Sequence, residues 1–266
     1  SCFLKKWARP LSVLQVAFAS GSGLVATASS DGTARLWNAR SGRQIASLDH
    51  PGHVDALAFS PDGRTLATSS EDHEIRIWEV ADRTLVASLR GHEGTVTALA
   101  FSPDEETLFS GGGDRTIKAW DLARMTEIAT LGGHTDAIRA LACSPDGRWL
   151  ASGGQDHTVR IWDPRELREV RLLPGHGSAA LCLAWSPRNN HLAVGRWDGT
   201  VHLWRADDDC REAGSFSIPE SRIASVAFSP DSRILAMGAS DRTIRLMDTG
   251  TLRELRALKG HGGEVN

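Results

Sequence analysis

The chain has 266 residues, 41% of them hydrophobic and 24% charged, with a formal net charge of −3; this is the make-up of a folded globular protein and argues against a disordered chain or a basic nucleic-acid binder. Apolar runs are broken by Gly, Ser or charge well short of the roughly 18–20 residues of a membrane span, so no membrane partner is expected. The four cysteines, at 2, 143, 182 and 210, form no CxxC pair, so neither a disulfide framework nor a metal site is expected, and a reducing, cytoplasmic setting fits best.

In chain order, residues 1–10 carry Lys5, Lys6 and Arg9 with no signal-type cleavage region behind them. Phe3-Leu4-Lys5-Lys6-Trp7 reads as a lone strand. From there a frame repeats, because Phe18, Phe59, Phe101, Cys143, Trp185 and Phe228 recur every 41 to 43 residues. Asp31, Asp72, Asp114, Asp156, Asp198 and Asp241 follow them by 13 residues, and Trp37, Trp78, Trp120, Trp162, Trp204 and Met247 come 6 later. A fixed period of this length marks a repeat architecture. The units run about 9–49, 50–91, 92–133, 134–175, 176–218 and 219–260.

Each unit reads as strands and tight turns, as in VTALAFSPDEETLFSGGGDRTIKAWDL, with no amphipathic helix. Ser-Pro-Asp-Gly at 60–63 and 144–147, with looser versions at 102–105 and 229–232, closes a first hairpin. Asp31-Gly32 and Asp198-Gly199 close a second, where His73, Arg115, His157 and Arg242 follow the Asp in the other units. Segments such as TLVASLRGH and ELRALKGH add a further strand and lead into the next unit. Four-stranded units of this size are propeller blades.

Gly-His about nine residues before the Phe position, the regularly placed Asp, and Trp-Asp at 120–121 and 162–163 resemble the WD40-repeat family over essentially the whole chain. The resemblance implies an all-β fold, a β-propeller of four-stranded antiparallel blades, with six complete blades and parts of a seventh in residues 1–8 and 261–266. A seven-bladed ring lacking roughly 30 residues of its last blade is the favoured expectation, and a six-bladed ring with spare ends is the alternative. A cut ring would expose sheet edges and invite self-association. Arg far outnumbers Lys and Tyr is absent, a bias that suits a GC-rich bacterial genome.

The resemblance also gives a structural role to a combination that could pass for a Ser-His-Asp nucleophile. His50, Thr68, Asp72 and Trp78, then His92, Ser110, Asp114 and Trp120, then His134, Ser152, Asp156 and Trp162 are expected to form buried hydrogen-bonded tetrads, one per blade. Other units are incomplete: Arg9 takes the His position in the first, Val194 the hydroxyl position in the fifth, and Pro219, Met237 and Met247 leave Asp241 alone in the sixth.

By analogy of fold, partners are expected on the face where the second hairpin turns meet the corners before each first strand. His53, Asp55, Glu71, Arg139, Gln155, Trp197 and Arg222 fall there, with Trp197 beside Arg196 suggesting an aromatic anchor with a charged neighbour. The chain therefore reads as a non-catalytic scaffold for a protein or peptide, with no cofactor. It would be the regulatory or sensor propeller of a larger bacterial signalling protein, or alternatively a subunit of a fixed eukaryotic-type complex. A propeller enzyme acting at the central channel ranks last, because no convergent carboxylates or metal ligands stand out at non-repeated positions.

Overall fold

A computed structural model describes residues 12–207, 210–263 and 265 of the chain. Blade one is β1 (Val13–Phe18), β2 (Leu24–Ser29), β3 (Thr33–Asn38) and β4 (Gln44–Asp49). Blade two is β5 (Val54–Phe59), β6 (Thr65–Ser70), β7 (Ile75–Glu79) and β8 (Thr84–Leu89), and blade three is β9 (Val96–Phe101), β10 (Thr107–Gly112), β11 (Ile117–Asp121) and β12 (Thr126–Leu131). Blade four is β13 (Ile138–Cys143), β14 (Leu150–Gly154), β15 (Val159–Asp163) and β16 (Arg168–Leu173), and blade five is β17 (Ala180–Trp185), β18 (His191–Arg196), β19 (Thr200–Arg205) and β20 (Arg211–Ser217). Blade six is β21 (Ile223–Phe228), β22 (Ile234–Ala239), β23 (Thr243–Asp248) and β24 (Arg253–Lys259). Every sheet is an antiparallel meander in chain order, and no helix occurs among the described residues.

Blades stack face to face, so their middle strands are buried on both sides. Leu66 to Ser70 of β6 and Leu108 to Gly112 of β10 are all buried, whereas the outermost β8 and β12 are mostly exposed. Small residues allow that stacking: a Cβ on Gly111 would stand 2.7 Å from Ile138 Cγ2 of the next blade. The first strands pack successively around a channel, β1 against β5, β5 against β9, and so on to β21.

Among the described residues, β21 and β1 share no comparable packing. On β1, Val13, Val16 and Phe18 are 50%, 52% and 73% exposed, whereas all of β9 except Thr97 is buried. A seventh blade is not shown. Residues 1–8, 264 and 266 lie outside the described residues, and 261–263 form no strand. Val265 donates its N–H to Ala239 O at 3.3 Å.

Candidate functional site

The buried polar groups are complete in two blades. In blade three His92 Nδ1 meets Asp114 Oδ2 at 2.7 Å, His92 Nε2 meets Ser110 Oγ at 2.7 Å, and Trp120 Nε1 donates to Ser110 Oγ at 2.8 Å. Blade four repeats this, with His134 to Asp156 at 2.8 Å, His134 to Ser152 at 2.7 Å and Trp162 to Ser152 at 2.8 Å. Burial lowers the pKa of both histidines. Burial would raise the two aspartates, but donors from His92 and Thr116, and from Thr158, Thr135 and His134, outweigh it and hold both below the usual carboxylate range. Ser110 and Ser152 are fully buried and already accept a Trp N–H, so neither hydroxyl is open to a substrate.

Blade two departs from the expected tetrad. His50 Nε2 and Trp78 Nε1 both reach Thr68 Oγ1 at 2.8 Å, but His50 Nδ1 turns to Leu48 O at 3.0 Å. Asp72 instead receives both terminal nitrogens of Arg76. Two differences accompany this: Ser70 stands where blades three and four have Gly112 and Gly154 beside Nδ1 of the histidine, and the outermost strand differs as well. Glu127 and Glu169 hold Lys118 and Arg160 in blades three and four, whereas Leu85 takes the corresponding place opposite Trp78. Arg76, without that glutamate, bonds Asp72 and Glu74, whereas Arg245 of blade six bonds both its glutamate, Glu254, and Asp241. Gln44 stands at the same place in blade one, and there Arg35 likewise bonds Asp31 at 2.7 Å. Blade one still closes part of the network, with Trp37 Nε1 donating to Thr27 Oγ1 at 2.9 Å.

The exposed candidate site is the channel mouth. At the start of each first strand the register slips, as where Val54 pairs with Ser70 but Ala56 pairs with Ser69. The skipped residues are Leu14, Asp55, Thr97, Arg139, Leu181 and Ala224. A bulge re-aims one side chain out of the pleat, and all six line an opening of about 660 Å³. The turns beside them are held by backbone bonds, Glu71 N to His53 O, Gln155 N to Ala137 O and Trp197 N to Ala179 O at 3.1, 2.8 and 3.0 Å.

Five of the seven expected face residues, Asp55, Arg139, Gln155, Trp197 and Arg222, line this opening. His53 and Glu71 stand aside as a pair 3.4 Å apart. Asp136 and His157 also line it. The repeat frame placed His157 in a second hairpin turn and could have flagged Asp136, two residues after His134, as a corner. Trp197 is 58% exposed. The cation on its ring is Arg222, whose guanidinium carbon lies 5.2 Å from the centroid, and not Arg196, which is fully buried and donates to Ser178 O at 2.7 Å.

Asp55 is held at a cost. Burial, then the nearby Glu71, raises its pKa to about 6, and its Oδ2 is buried without a partner. A folded pKa above the unfolded one means that stability is lost as pH rises from about 4 to about 6. Asp55→Asn is therefore expected to stabilise the fold by about 1–2 kcal/mol at pH 7.5. Thermal unfolding at pH 7.5 and pH 4 checks this, and equal effects at both values would refute it.

A family profile described as "WDR90, 4th beta-propeller" matches residues 53–214, and the "WD domain, G-beta repeat" profile matches 5–38 and 211–248. The chain belongs to the WD-repeat β-propeller family. Among curated proteins it is similar to "Eukaryotic translation initiation factor 3 subunit I" of Coccidioides immitis (strain RS), 49% identical over 43 residues, which is 16% of this chain and 13% of that protein. That stretch is about the length of one WD repeat. These comparisons give the expected bacterial origin no support.

Proposed function

We propose that this WD-repeat propeller is a non-catalytic protein-interaction platform that seats a peptide or a protein loop across the channel mouth. The observation that carries this is Trp197, a large aromatic left 58% exposed at the rim of the opening with Arg222 against its ring. Aromatic and arginine side chains are the usual anchors of protein interfaces. Retention of the costly Asp55 carboxylate beside Arg139 supports the same face, because a partner bearing a cation would pair the orphaned oxygen on binding.

Photo-crosslinking from position 157, at the same opening, in the full chain identifies the partner, and the variants then measure its affinity. Trp197→Ala is expected to weaken binding about 30-fold, corresponding to about 2 kcal/mol. Substitutions in the turns at 60–63 or 144–147 are expected to leave it unchanged. A partner that survives Trp197→Ala but is lost with those turn variants would move the interface off this face. Dissociation kinetics separate a regulatory propeller that exchanges partners from a subunit of a fixed assembly, since the first releases its ligand on a timescale of about minutes or less.

A further inference from the structure

Blade five breaks the pattern of its neighbours at one point, with consequences for three side chains. In blades three and four the last residue of the second strand is Gly112 or Gly154, and a Cβ there would meet Nδ1 of the tetrad histidine at 3.5 or 2.7 Å. Blade five has Arg196 at this place, fully buried, and Val194 where the hydroxyl stands. The imidazole of His176 therefore lacks the hydroxyl that His92 and His134 use and has the bulk of Arg196 beside it. It stacks instead on His202, ring centroids 3.8 Å apart and planes 18° apart. His202 occupies the position of Lys118 and Arg160, and Glu212, opposite Trp204, takes the place of Glu127 and Glu169.

Exchange of a permanent cation for an imidazole turns a salt bridge into a donor set. His202 is 7% exposed and its Nδ1 lies 2.6 Å from Glu212 Oε1. With that N–H given to the carboxylate, the lone pair sits on Nε2, which is buried and without a partner. His176 Nε2 is likewise buried and unpartnered, 3.9 Å from Glu212 Oε2. One ligand-capable atom from each of the three lies within 4.8 Å of the others. An unsatisfied buried imidazole nitrogen is costly, and two of them beside one carboxylate are satisfied together by a cation when each offers its lone pair.

We propose that His176, His202 and Glu212 form a binding site for a divalent transition-metal ion of the zinc class. Two neutral imidazoles and one carboxylate are a familiar zinc donor set and suit Zn²⁺, Co²⁺ or Ni²⁺ far better than Ca²⁺ or Mg²⁺, which want oxygen alone. Coordination turns the rings out of their stack so that one nitrogen of each imidazole faces Glu212, which exchanges its hydrogen bond to His202 for a bond to the ion. The remaining position falls to water or to a group of a bound partner. Sequence reading missed this site because the three residues lie 26 and 10 positions apart, on a loop and two strands that only the sheet register brings together.

Tag-free protein, stripped with a chelator, is titrated with Zn²⁺ against a chromophoric competitor and with Co²⁺ by visible absorption. One equivalent is expected to bind at micromolar or tighter affinity, with Co²⁺ bands of low-coordinate N/O character and no competition from excess Mg²⁺. His176→Gln and Glu212→Gln, whose side chains are partly exposed, are each expected to lower affinity at least 10-fold, to leave the thermal transition of the metal-free protein in place, and to abolish its rise with Zn²⁺. His53→Gln is the control and should bind as the parent does. Failure of the parent to take up one equivalent, or uptake unchanged in both variants, overturns the proposal.

Discussion

Replacement of Asp156 by alanine is expected to lower the unfolding free energy by about 3 kcal/mol or more. Its carboxylate is almost fully buried and accepts four donors: His134 Nδ1 and Thr135 N–H on one oxygen, Thr158 N–H and hydroxyl on the other, at 2.8, 3.0, 3.0 and 2.7 Å. Removal leaves several of these unpaired inside the blade. Asp72→Ala is the internal comparison. There the lost bonds go to Arg76 and to the turn, His50 is already satisfied elsewhere, and the expected cost is about 1 kcal/mol. Chemical denaturation of the two variants checks this, and equal costs would show that the tetrads add nothing beyond the turn. The contribution of Asp156 is present at neutral pH. Its folded pKa is depressed, so that contribution falls away as pH drops below about 4 and through the folded value. His134, also depressed, adds to the loss in acid as pH falls below its unfolded value of about 6.5.

A still larger loss is expected from Gly199→Ala. Gly199 turns the second hairpin of blade five at φ +84°, and a Cβ there would stand 2.1 Å from Ile218 O and 2.2 Å from Ser221 O. These are backbone atoms of the corner leading to blade six, so relief requires moving the corner. About 1–2 kcal/mol for a side chain at positive φ, with the steric displacement added, brings the total to about 4 kcal/mol or more. Gly32 has the same φ of +84°, but its nearest contact would be His50 O at 3.3 Å. Gly32→Ala should therefore cost only about 1–2 kcal/mol. The pair separates backbone conformation from crowding, and identical losses in urea unfolding would refute the steric account.

Much of the fold was legible because it is periodic. The Phe, Asp and Trp frame located six four-stranded blades, and the turn segments located the second hairpin in all six and the first hairpin in four. At the channel mouth, Asp55 and Arg139, two of the expected face residues, are among those that the bulges turn outward. What escaped the frame were exceptions that depend on a neighbour across the sheet. Whether Asp72 faces His50 or Arg76 depends on residues of other strands around it, Ser70 and Leu85 among them, so the spacing of His, hydroxyl, Asp and Trp alone could not tell. Arg196 looked like a charged companion for Trp197, yet strand alternation and the bulk it adds beside the His slot send it inward. Arg222, from the following blade, takes that place through tertiary packing that local sequence does not encode.

The exposed face of β1, unpaired with β21 among the described residues, bears on how the blades come apart. In a linear array each unit draws stability from the units flanking it, and blades two to five have two such neighbours. Among the described residues, blades one and six have one each, and Val13, Val16 and Phe18 form no shared dry interface. Opening fluctuations therefore start at these two sheets and run inward, with blades three and four, where the hydrogen-bonded tetrads are complete, exchanging their amide protons last.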